Sequence, residues 1–371
     1  MTNVDILFDL IDKGREGKNI GLDSGIPKLN EYTGGIQRGI YTLVFGLSGS
    51  GKSSLVLYMM YRTLKDNPDK NIKYIYFSLE MSARLLLAKL MCLYIYEEFG
   101  VVIPYTKLMS WKDILSDEDY KYVIASKEWL ESINSKLLIY DKTLNAKSFY
   151  ATIMPLLEEW GEFKDVDEGR RKIYTLNDPE QYTIAIIDHI GLCLPQSGNS
   201  LKEEMDLISQ YAVTLRERCG VSFFVLQQEN RNSANMDRRK MDMSESSAED
   251  LKSSGNTYND CEVCIAVYFP LKHKLKTHRG YPIIVENPQN NFIGMRDRYR
   301  NLLVIKNRLG ASDKAIPVNF FGEIGYFQAL PKADTIQDYT PYLHLESNPV
   351  DIISKDSEGK DEDKQQITFS F

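Results

Sequence analysis

The chain has 371 residues, of which 43% are hydrophobic and 26% charged, an ordinary composition for a globular protein that buries a full core. No apolar run approaches the roughly 20 residues of a membrane-spanning helix, so we expect no membrane partner. The net charge of −7 excludes a protein that coats nucleic acid through its overall charge, because phosphate contacts need Lys and Arg. The acidic N-terminal segment is unlike a signal peptide and five cysteines suit a reducing compartment, so we expect a cytoplasmic protein.

Short apolar segments alternate with helical patterns along most of the chain, which predicts a mostly parallel sheet with helices on its faces. The segments are nearly continuous and rich in β-branched or aromatic residues, as strands buried on both faces are. The predicted strands of this part are Ile40–Phe45, Ile72–Ser78, Lys136–Tyr140, Thr183–Ile187 and Val221–Leu226. Near the C-terminus the predicted strands are antiparallel: Val263–Tyr268, Tyr281–Val285, Leu302–Lys306 and Ile316–Phe320.

Two helices are indicated by apolar residues at the spacing i, i+3, i+4, i+7. One of them ends before Gly220, which stands where a C-cap glycine belongs. The other is a short N-terminal helix whose apolar face we predict to pack on a neighbouring subunit, with packing on its own domain as the alternative. The two sets of residues are Ile208, Tyr211, Ala212 and Leu215, and Val4, Leu7, Phe8 and Ile11.

Residues 46–53, GLSGSGKS, match the P-loop pattern G-x-x-x-x-G-K-[ST] at every fixed position. A predicted strand enters the loop and a helical stretch, Ser54–Arg62, leaves it; a Gly/Ser-rich loop that matches by chance is the alternative. Glycines let backbone N–H groups surround phosphate oxygens, and Lys52 would reach the β- and γ-phosphates of ATP. The predicted nucleotide-binding residues are Gly46, Gly49, Ser50, Gly51, Lys52, Ser53 and Ser54.

Two predicted strands are followed by a carboxylate. Asp188 ends an apolar strand, which is the Walker B arrangement, and we predict that Asp188 and Ser53 hold Mg²⁺. Glu80 follows the strand Ile72–Ser78, and we predict that it orients and polarises the attacking water. The alternatives are a turn aspartate at position 188 and a surface glutamate that opens the next helix.

These motifs and several others, in the same order, resemble the RecA-fold motor of DnaB-like replicative helicases over residues 21–327. The matching segments are 21–40, FSLEMS at 77–82, IIDHIGL at 186–192, VLQQENR at 225–231, DLKSSG at 250–255 with Asn259-Asp260, and KNRLG at 306–310. Two positions depart from the family pattern: His189 replaces a more usual Tyr, and Gln227 replaces the usual Ser.

The resemblance implies an α/β fold with a RecA-like P-loop NTPase core, and further catalytic residues. Gln228 would sense the γ-phosphate, while Lys306 and Arg308 would act on ATP bound to the neighbouring subunit of a homo-oligomer, expected to be a hexamer. Without the resemblance, Arg308 would be interpreted as a surface arginine on a strand.

Single-stranded DNA is the partner that the resemblance implies, held by loops that line a central channel. The candidate loops are residues 195–202 and the segment that includes the second basic cluster. For residues 238–240 a solvated run of charge is the alternative. The predicted DNA-binding residues are Lys202, Arg231, Arg238, Arg239, Lys240 and Lys252.

The resulting division is a linker helix at 1–20, a helicase domain at 21–330 and a C-terminal extension at 331–371. Relatives usually carry an N-terminal collar that binds primase, whereas only about 20 residues precede the match. Segments 161–181 and 287–299 are additional and receive no role. The predicted function is an ATP-dependent helicase motor in DNA replication; the alternative is a RecA-like ATPase without unwinding, such as a recombinase, an annealing factor or a helicase-loading partner.

Two further patterns have several interpretations. The acidic stretch 354–366 predicts a flexible tail, whose end at Ile367, Phe369 and Phe371 is consistent with docking to a replication partner, pairing with a sheet edge or fraying. The pair Cys261 and Cys264 with two later histidines suggests zinc, but the eight-residue spacer to His273 is short for a zinc finger. We therefore interpret Cys264 as part of a strand.

Overall fold

The computed structural model describes residues 3–166, 171–229, 245–251, 256–286 and 292–349. The strands in these ranges are β1 Tyr41–Gly46, β2 Ile72–Ser78, β3 Leu137–Tyr140, β4 Gly161–Val166, β5 Arg171–Leu176, β6 Tyr182–Asp188, β7 Ser222–Gln228, β8 Val263–Tyr268, β9 Thr277–His278, β10 Tyr281–Pro282, β11 Tyr299–Asn307, β12 Lys314–Phe321 and β13 Tyr326–Ala329. The helices are α1 Asn3–Arg15, α2 Pro27–Thr33, α3 Lys52–Asp66, α4 Ala83–Phe99, α5 Tyr105–Leu108, α6 Asp117–Ala125, α7 Lys127–Asn134, α8 Ala146–Trp160, α9 Leu201–Cys219 and α10 Thr257–Asp260.

Within the described ranges, the central sheet has the strand order β13-β12-β11-β8-β1-β7-β6-β2-β3. The six strands from β8 to β3 in this order are parallel to their neighbours, and β11, β12 and β13 are antiparallel. This confirms the predicted α/β fold, with its mostly parallel sheet and its antiparallel C-terminal strands. Because β1, β7, β6 and β2 run in one direction, their carboxyl ends lie at one edge, where ligands bind in such sheets.

Two apolar layers cover the sheet, because side chains along a strand alternate between its faces. Helices α3 and α4 pack on one face, with Leu55 and Leu90 fully buried beside Val44 of β1. Helices α8 and α9 pack on the other face, where Phe149 contacts Phe223 of β7. Each such buried side chain stabilises the fold by about 1.5–3 kcal/mol. Helix α9 ends at Gly220, whose φ of 68° confirms the predicted C-cap.

The prediction of a strand at Tyr281–Val285 is wrong. Only Tyr281–Pro282 is extended, and it pairs with Thr277–His278 in a separate small sheet. Pro282 has no N–H for a ladder, and the N–H groups of Ile283 and Ile284 both donate to Lys276 instead. The segment 161–176, which received no role, forms the hairpin β4–β5, and its Tyr174 hydroxyl donates to the carbonyl of Leu157 in α8.

The apolar face of α1 does not pack on the rest of the chain. Val4, Leu7, Phe8 and Ile11 are each between 47% and 61% exposed, so the alternative of packing on the chain's own domain is not found. No helix in the described ranges is long and apolar enough to cross a membrane. The tail from residue 350 onwards lies outside the described residues.

Candidate active site

The P-loop connects β1 to α3 at the carboxyl edge of the sheet. Gly46 has a φ of 155°, and a Cβ there would lie 2.7 Å from the carbonyl oxygen of Val267, so only glycine fits. Gly51, at the start of α3, has a φ of 103°, another conformation that a side chain would strain. The loop therefore curls tightly over the N-terminus of α3, which is the arrangement that binds phosphate.

Lys52 lies in the middle of this loop, and only 8% of its surface is exposed. Its Nζ donates hydrogen bonds to the carbonyl oxygens of Gly46 and Leu47, at 3.0 and 3.1 Å. Burial lowers the pKa of the Lys52 ammonium, against the attraction of Asp188 and Glu80. An ammonium that is poorly solvated and has no ion pair within the described residues is well placed for an anionic ligand such as triphosphate.

Asp188, the last residue of β6, is almost fully buried and accepts two hydrogen bonds. The Ser53 hydroxyl donates to Oδ1 and the Tyr76 hydroxyl to Oδ2, both at 2.8 Å. Burial raises the pKa of the Asp188 carboxyl, while the hydrogen bonds from Tyr76 and Ser53 act to lower it. A hydroxyl and a carboxylate held side by side supply the oxygen ligands that Mg²⁺ prefers.

The open cleft beside the P-loop brings together residues from several strand ends. Glu80 follows β2 by two residues, before α4 begins at Ala83, and lines the cleft. Gln228 ends β7 opposite Gly46 in the parallel ladder and is exposed to the cleft. The other lining residues are Ser48, Gly49, Gly51, Lys52, Ser53, Ser54, Met81, Lys89 and His189.

Two predicted nucleotide-binding residues lie beneath the loop rather than along the cleft: Gly46 and Ser50 are both buried. His189 is half-buried in the cleft, and burial lowers its pKa, so its ring is neutral at pH 7. The sequence therefore places a neutral imidazole at the position where the family usually has a tyrosine.

Lys89 is a cleft residue that the sequence patterns do not reveal. It belongs to α4, which begins three residues after Glu80, and burial lowers the pKa of its ammonium. The nearby carboxylates of Asp188 and Glu80 attract it. A helical lysine gives no signal in a sequence, because only the packing of α4 against β2 places it beside the carboxylates.

Lys306 and Arg308 do not enter this cleft. Both lie at the amino ends of β8 and β1, where Lys306 faces Cys264, whereas the P-loop lies at the carboxyl end. The length of β1, six residues or about 20 Å, separates the two edges. Lys306 Nζ donates to the carbonyl of Tyr258 at 2.6 Å, and Arg308 extends toward solvent with 57% of its side chain exposed.

Glu262 holds this second edge together. Its Oε2 accepts a hydrogen bond from the Tyr41 N–H at 3.0 Å, and its Oε1 pairs with Arg216. The same oxygen lies 3.5 Å from Nη1 of Arg308. The guanidinium of Arg308 is therefore oriented at its base and remains accessible at its tip.

One of the predicted DNA-binding residues can be placed. Lys202 is exposed in the first turn of α9, directly after the loop 195–200. Glu204 organises that loop, because it accepts hydrogen bonds from the N–H groups of Ala146 and Gln196 and from the side chain of Asn199. The remaining candidates, Arg231, Arg238, Arg239, Lys240 and Lys252, lie outside the described residues.

The residues suspected of binding zinc have other surroundings. Cys264 is fully buried in β8, as the strand interpretation predicts. His278 contacts the Tyr299 hydroxyl at 3.0 Å and the Glu245 carboxylate at 2.8 Å. Burial acts to raise the pKa of Glu245, but the hydrogen bonds from His278 and Arg279 lower it to about 2.

A RecA-like sheet with a P-loop, a strand-end aspartate and a nearby glutamate defines the class of P-loop NTPases. The sequence family described as "DnaB-like helicase C terminal domain" matches residues 21–329, and the chain belongs to this family. Two curated relatives, both named "Replicative DNA helicase DnaB", come from strains of Helicobacter pylori. One is 25% identical over 256 residues, covering 68% of this chain and 44% of the relative; the other is 24% identical over 266 residues, covering 70% and 47%. The chain thus spans less than half the length of these relatives.

Solved structures confirm the fold. One whose title describes an "ATPase Domain" has a TM-score of 0.67 at 17% identity and covers 89% of this chain and 100% of its own. A second, "The Structure Of A DnaB-Like Replicative Helicase And Its Interactions With Primase", has a TM-score of 0.63 at 16% identity and covers 89% and 67%. At such identities the likeness concerns the fold alone.

Proposed function

We propose that the chain is the motor of an ATP-dependent DNA helicase that translocates on single-stranded DNA as a ring during replication. The observation that supports this most is the separation of Glu80 from Arg308 at opposite edges of one sheet. A cleft with a base for water, but with its arginine about 20 Å away, needs the arginine of another copy. Hydrolysis would then depend on assembly, and the expected hexamer is part of this proposal.

The cleft residues divide the chemistry of phosphoryl transfer. Lys52 would contact the β- and γ-phosphates of ATP in place of the carbonyls that it now contacts. Ser53 and Asp188 would hold Mg²⁺, which neutralises phosphate charge when bound. Glu80 would accept hydrogen bonds from the attacking water and polarise it, while Gln228 would respond to the γ-phosphate from the end of β7.

Arg308 would act on the neighbouring copy's nucleotide. Its planar guanidinium stabilises the charge that develops on the transferring phosphoryl group, and Lys306 would support it from the same edge. The exposed tip of Arg308 and its anchored base suit this role, because the side chain is directed without being buried.

Single-stranded DNA is the proposed substrate track. Lys202 and the backbone of the loop 195–200 would contact phosphates, and the basic residues between 231 and 252 would add contacts that release counterions. The separate roles of a linker at 1–20, a motor at 21–330 and an extension at 331–371 belong to the same proposal, as does recruitment of a replication partner by the tail.

Strand displacement on a forked DNA duplex with ATP tests the function, with DNA-stimulated hydrolysis measured in parallel. The matched control is Lys52→Ala, which should do neither. Displacement of the strand with stimulated hydrolysis supports the helicase. Stimulated hydrolysis without displacement supports instead a RecA-like ATPase that unwinds nothing, and absence of ATP hydrolysis by the assembled wild-type chain refutes both.

A further inference from the structure

Arg300 is a buried cation directly behind the P-loop. It is the second residue of β11, and only 3% of its surface is exposed. Its Nε donates a hydrogen bond to the carbonyl oxygen of Ser50 at 2.7 Å. Its Nη1 donates to the carbonyl oxygens of Asp297 and Tyr299, both at 2.8 Å. The side chain is thus fixed by three carbonyls, one of which belongs to the P-loop.

The guanidinium also lies flat against aromatic rings. Its central carbon is 3.4 Å from the centroid of the Phe269 ring and 5.0 Å from that of Phe320. No carboxylate in the described ranges forms an ion pair with it, and burial lowers the pKa of Arg300 to about 9. At pH 7 the group therefore remains charged, although a buried charge without a counterion is costly for the folded chain.

The hydrogen bond to Ser50 fixes the direction of a donor on the other side of the loop. A trans peptide is planar, and its N–H points away from its C=O. Since the Ser50 carbonyl faces Arg300, the N–H of Gly51 in the same peptide points the opposite way. Gly51 lines the cleft, so this N–H is directed to where phosphate oxygens would bind.

We propose that Arg300 is a positioning residue of the nucleotide site, which aims the Ser50–Gly51 peptide at the phosphates and places an uncompensated positive charge behind them. The inference rests on the proposed function, because its ligand is the triphosphate of ATP. In a poorly solvated site, a fixed charge acts more strongly on the phosphates than it would in water. Binding of an anion in turn supplies the counterion that Arg300 lacks.

Arg298 provides a matched control two residues earlier in the chain. It too lies against an aromatic ring, with its central carbon 5.0 Å from the centroid of Phe321. It differs in having a carboxylate partner, Glu323 at 2.5 Å, and within the described residues it makes no hydrogen bond to the P-loop. Loss of Arg298 therefore removes a comparable side chain and leaves the Ser50 carbonyl untouched.

The experiment measures binding of a non-hydrolysable ATP analogue with Mg²⁺ by calorimetry, using the full chain. Arg300→Met should weaken binding by roughly tenfold or more, because a charge-assisted hydrogen bond and a nearby charge are lost. Arg300→Lys, which keeps a charge without the planar fork, should fall between Met and the wild type. Arg298→Met should bind as the wild type does. Without nucleotide, Arg300→Met should melt at the same temperature as the wild type or higher, since an apolar side chain replaces an unpaired cation.

The outcomes separate this inference from the function on which it rests. If the wild type binds the analogue and Lys52→Ala does not, while Arg300→Met binds as tightly as the wild type, the positioning role is wrong and the ATPase proposal stands. A lower melting temperature with unchanged affinity also overturns the role, since it would show structural support only. If Arg300→Met does not fold, Arg300→Lys decides, and wild-type affinity in that variant refutes the positioning contact. If the wild type itself binds no analogue, both proposals fail.

Discussion

The hydroxyl of Ser53 donates a hydrogen bond to Oδ1 of Asp188 at 2.8 Å, although 135 positions separate the two residues in the chain. One residue opens α3 and the other ends β6, two strands away from β1 in the sheet. The second carboxylate oxygen accepts from Tyr76 of β2. Neutral donors from two other elements thus hold a buried carboxylate in one orientation, which prepares it for a cation.

Asp188→Asn should reduce hydrolysis by about 100-fold or more, while leaving the fold as stable at neutral pH or more so. Burial raises the folded-state pKa of Asp188 above its value of 3.8 in the unfolded chain. The folded chain therefore binds more protons between these two values, and stability falls as the pH rises through that window. The ionised carboxylate at pH 7 is a cost that Asn removes. Melting temperatures of both proteins across acidic and neutral pH check this, and the variant's advantage should shrink as the pH is lowered.

Lys52→Ala and Glu80→Gln should fail in different ways. Lys52 holds phosphate, so its loss should weaken nucleotide binding and with it hydrolysis. Glu80 acts on water, so Glu80→Gln should bind ATP normally and hydrolyse it roughly 100-fold or more slowly. Binding by calorimetry and single-turnover hydrolysis separate the two steps. Near-normal turnover by Glu80→Gln would remove this residue from the role of base.

Arg308→Ala should lose hydrolysis but retain ATP binding. Mixed with Lys52→Ala protein, it should regain activity, because an intact P-loop can then meet an intact arginine across an interface. The double variant Lys52→Ala/Arg308→Ala is the control for mixing, since it offers neither partner. Activity of mixtures over a range of ratios is the measurement. The trans assignment is wrong if both variants assemble and no ratio recovers hydrolysis.

The exposed face of α1 should support assembly. Leu7→Asp places a charge on a residue that is 53% exposed in the single chain, so the monomer should fold normally while the association constant falls by about tenfold or more. Deletion of residues 1–17 should act in the same direction. Asp12→Ser, on the same helix but off the apolar face, is the matched control. Light scattering over a range of concentrations measures assembly, and unchanged assembly by Leu7→Asp would contradict the prediction.

The sequence predicts those parts of the fold that depend on local pattern. The strands β2 and β8 have the predicted bounds, because continuous β-branched and aromatic runs occur only where both faces of a sheet are buried. Strand β13 has no counterpart among the predicted strands, since its four residues include Gln328 and Ala329, which carry no such signal. The wrong strand at 281–285 shows the opposite error: an apolar run favoured a strand that Pro282 prevents.

The site shows the same division between local and distant information. Gly46, Lys52 and Ser53 are close together in sequence, so a motif identifies them. Lys89 and Arg300 reach the nucleotide region only through packing, one from α4 and one from β11 on the other side of β8. Neither has a sequence signal, because a lysine in a helix and an arginine in a strand are most often surface residues.

The placement of the P-loop and Arg308 at opposite edges also restricts the symmetry of any assembly that completes the site. A two-fold axis brings identical surfaces together, so it would join cleft to cleft and leave both without an arginine. Only a head-to-tail contact, repeated from copy to copy, brings the edge with Arg308 to the edge with Lys52. Such contacts have a direction, and they close into a ring or continue as a helical filament according to the rotation between neighbours. The direction would be fixed in the monomer before any copy meets another.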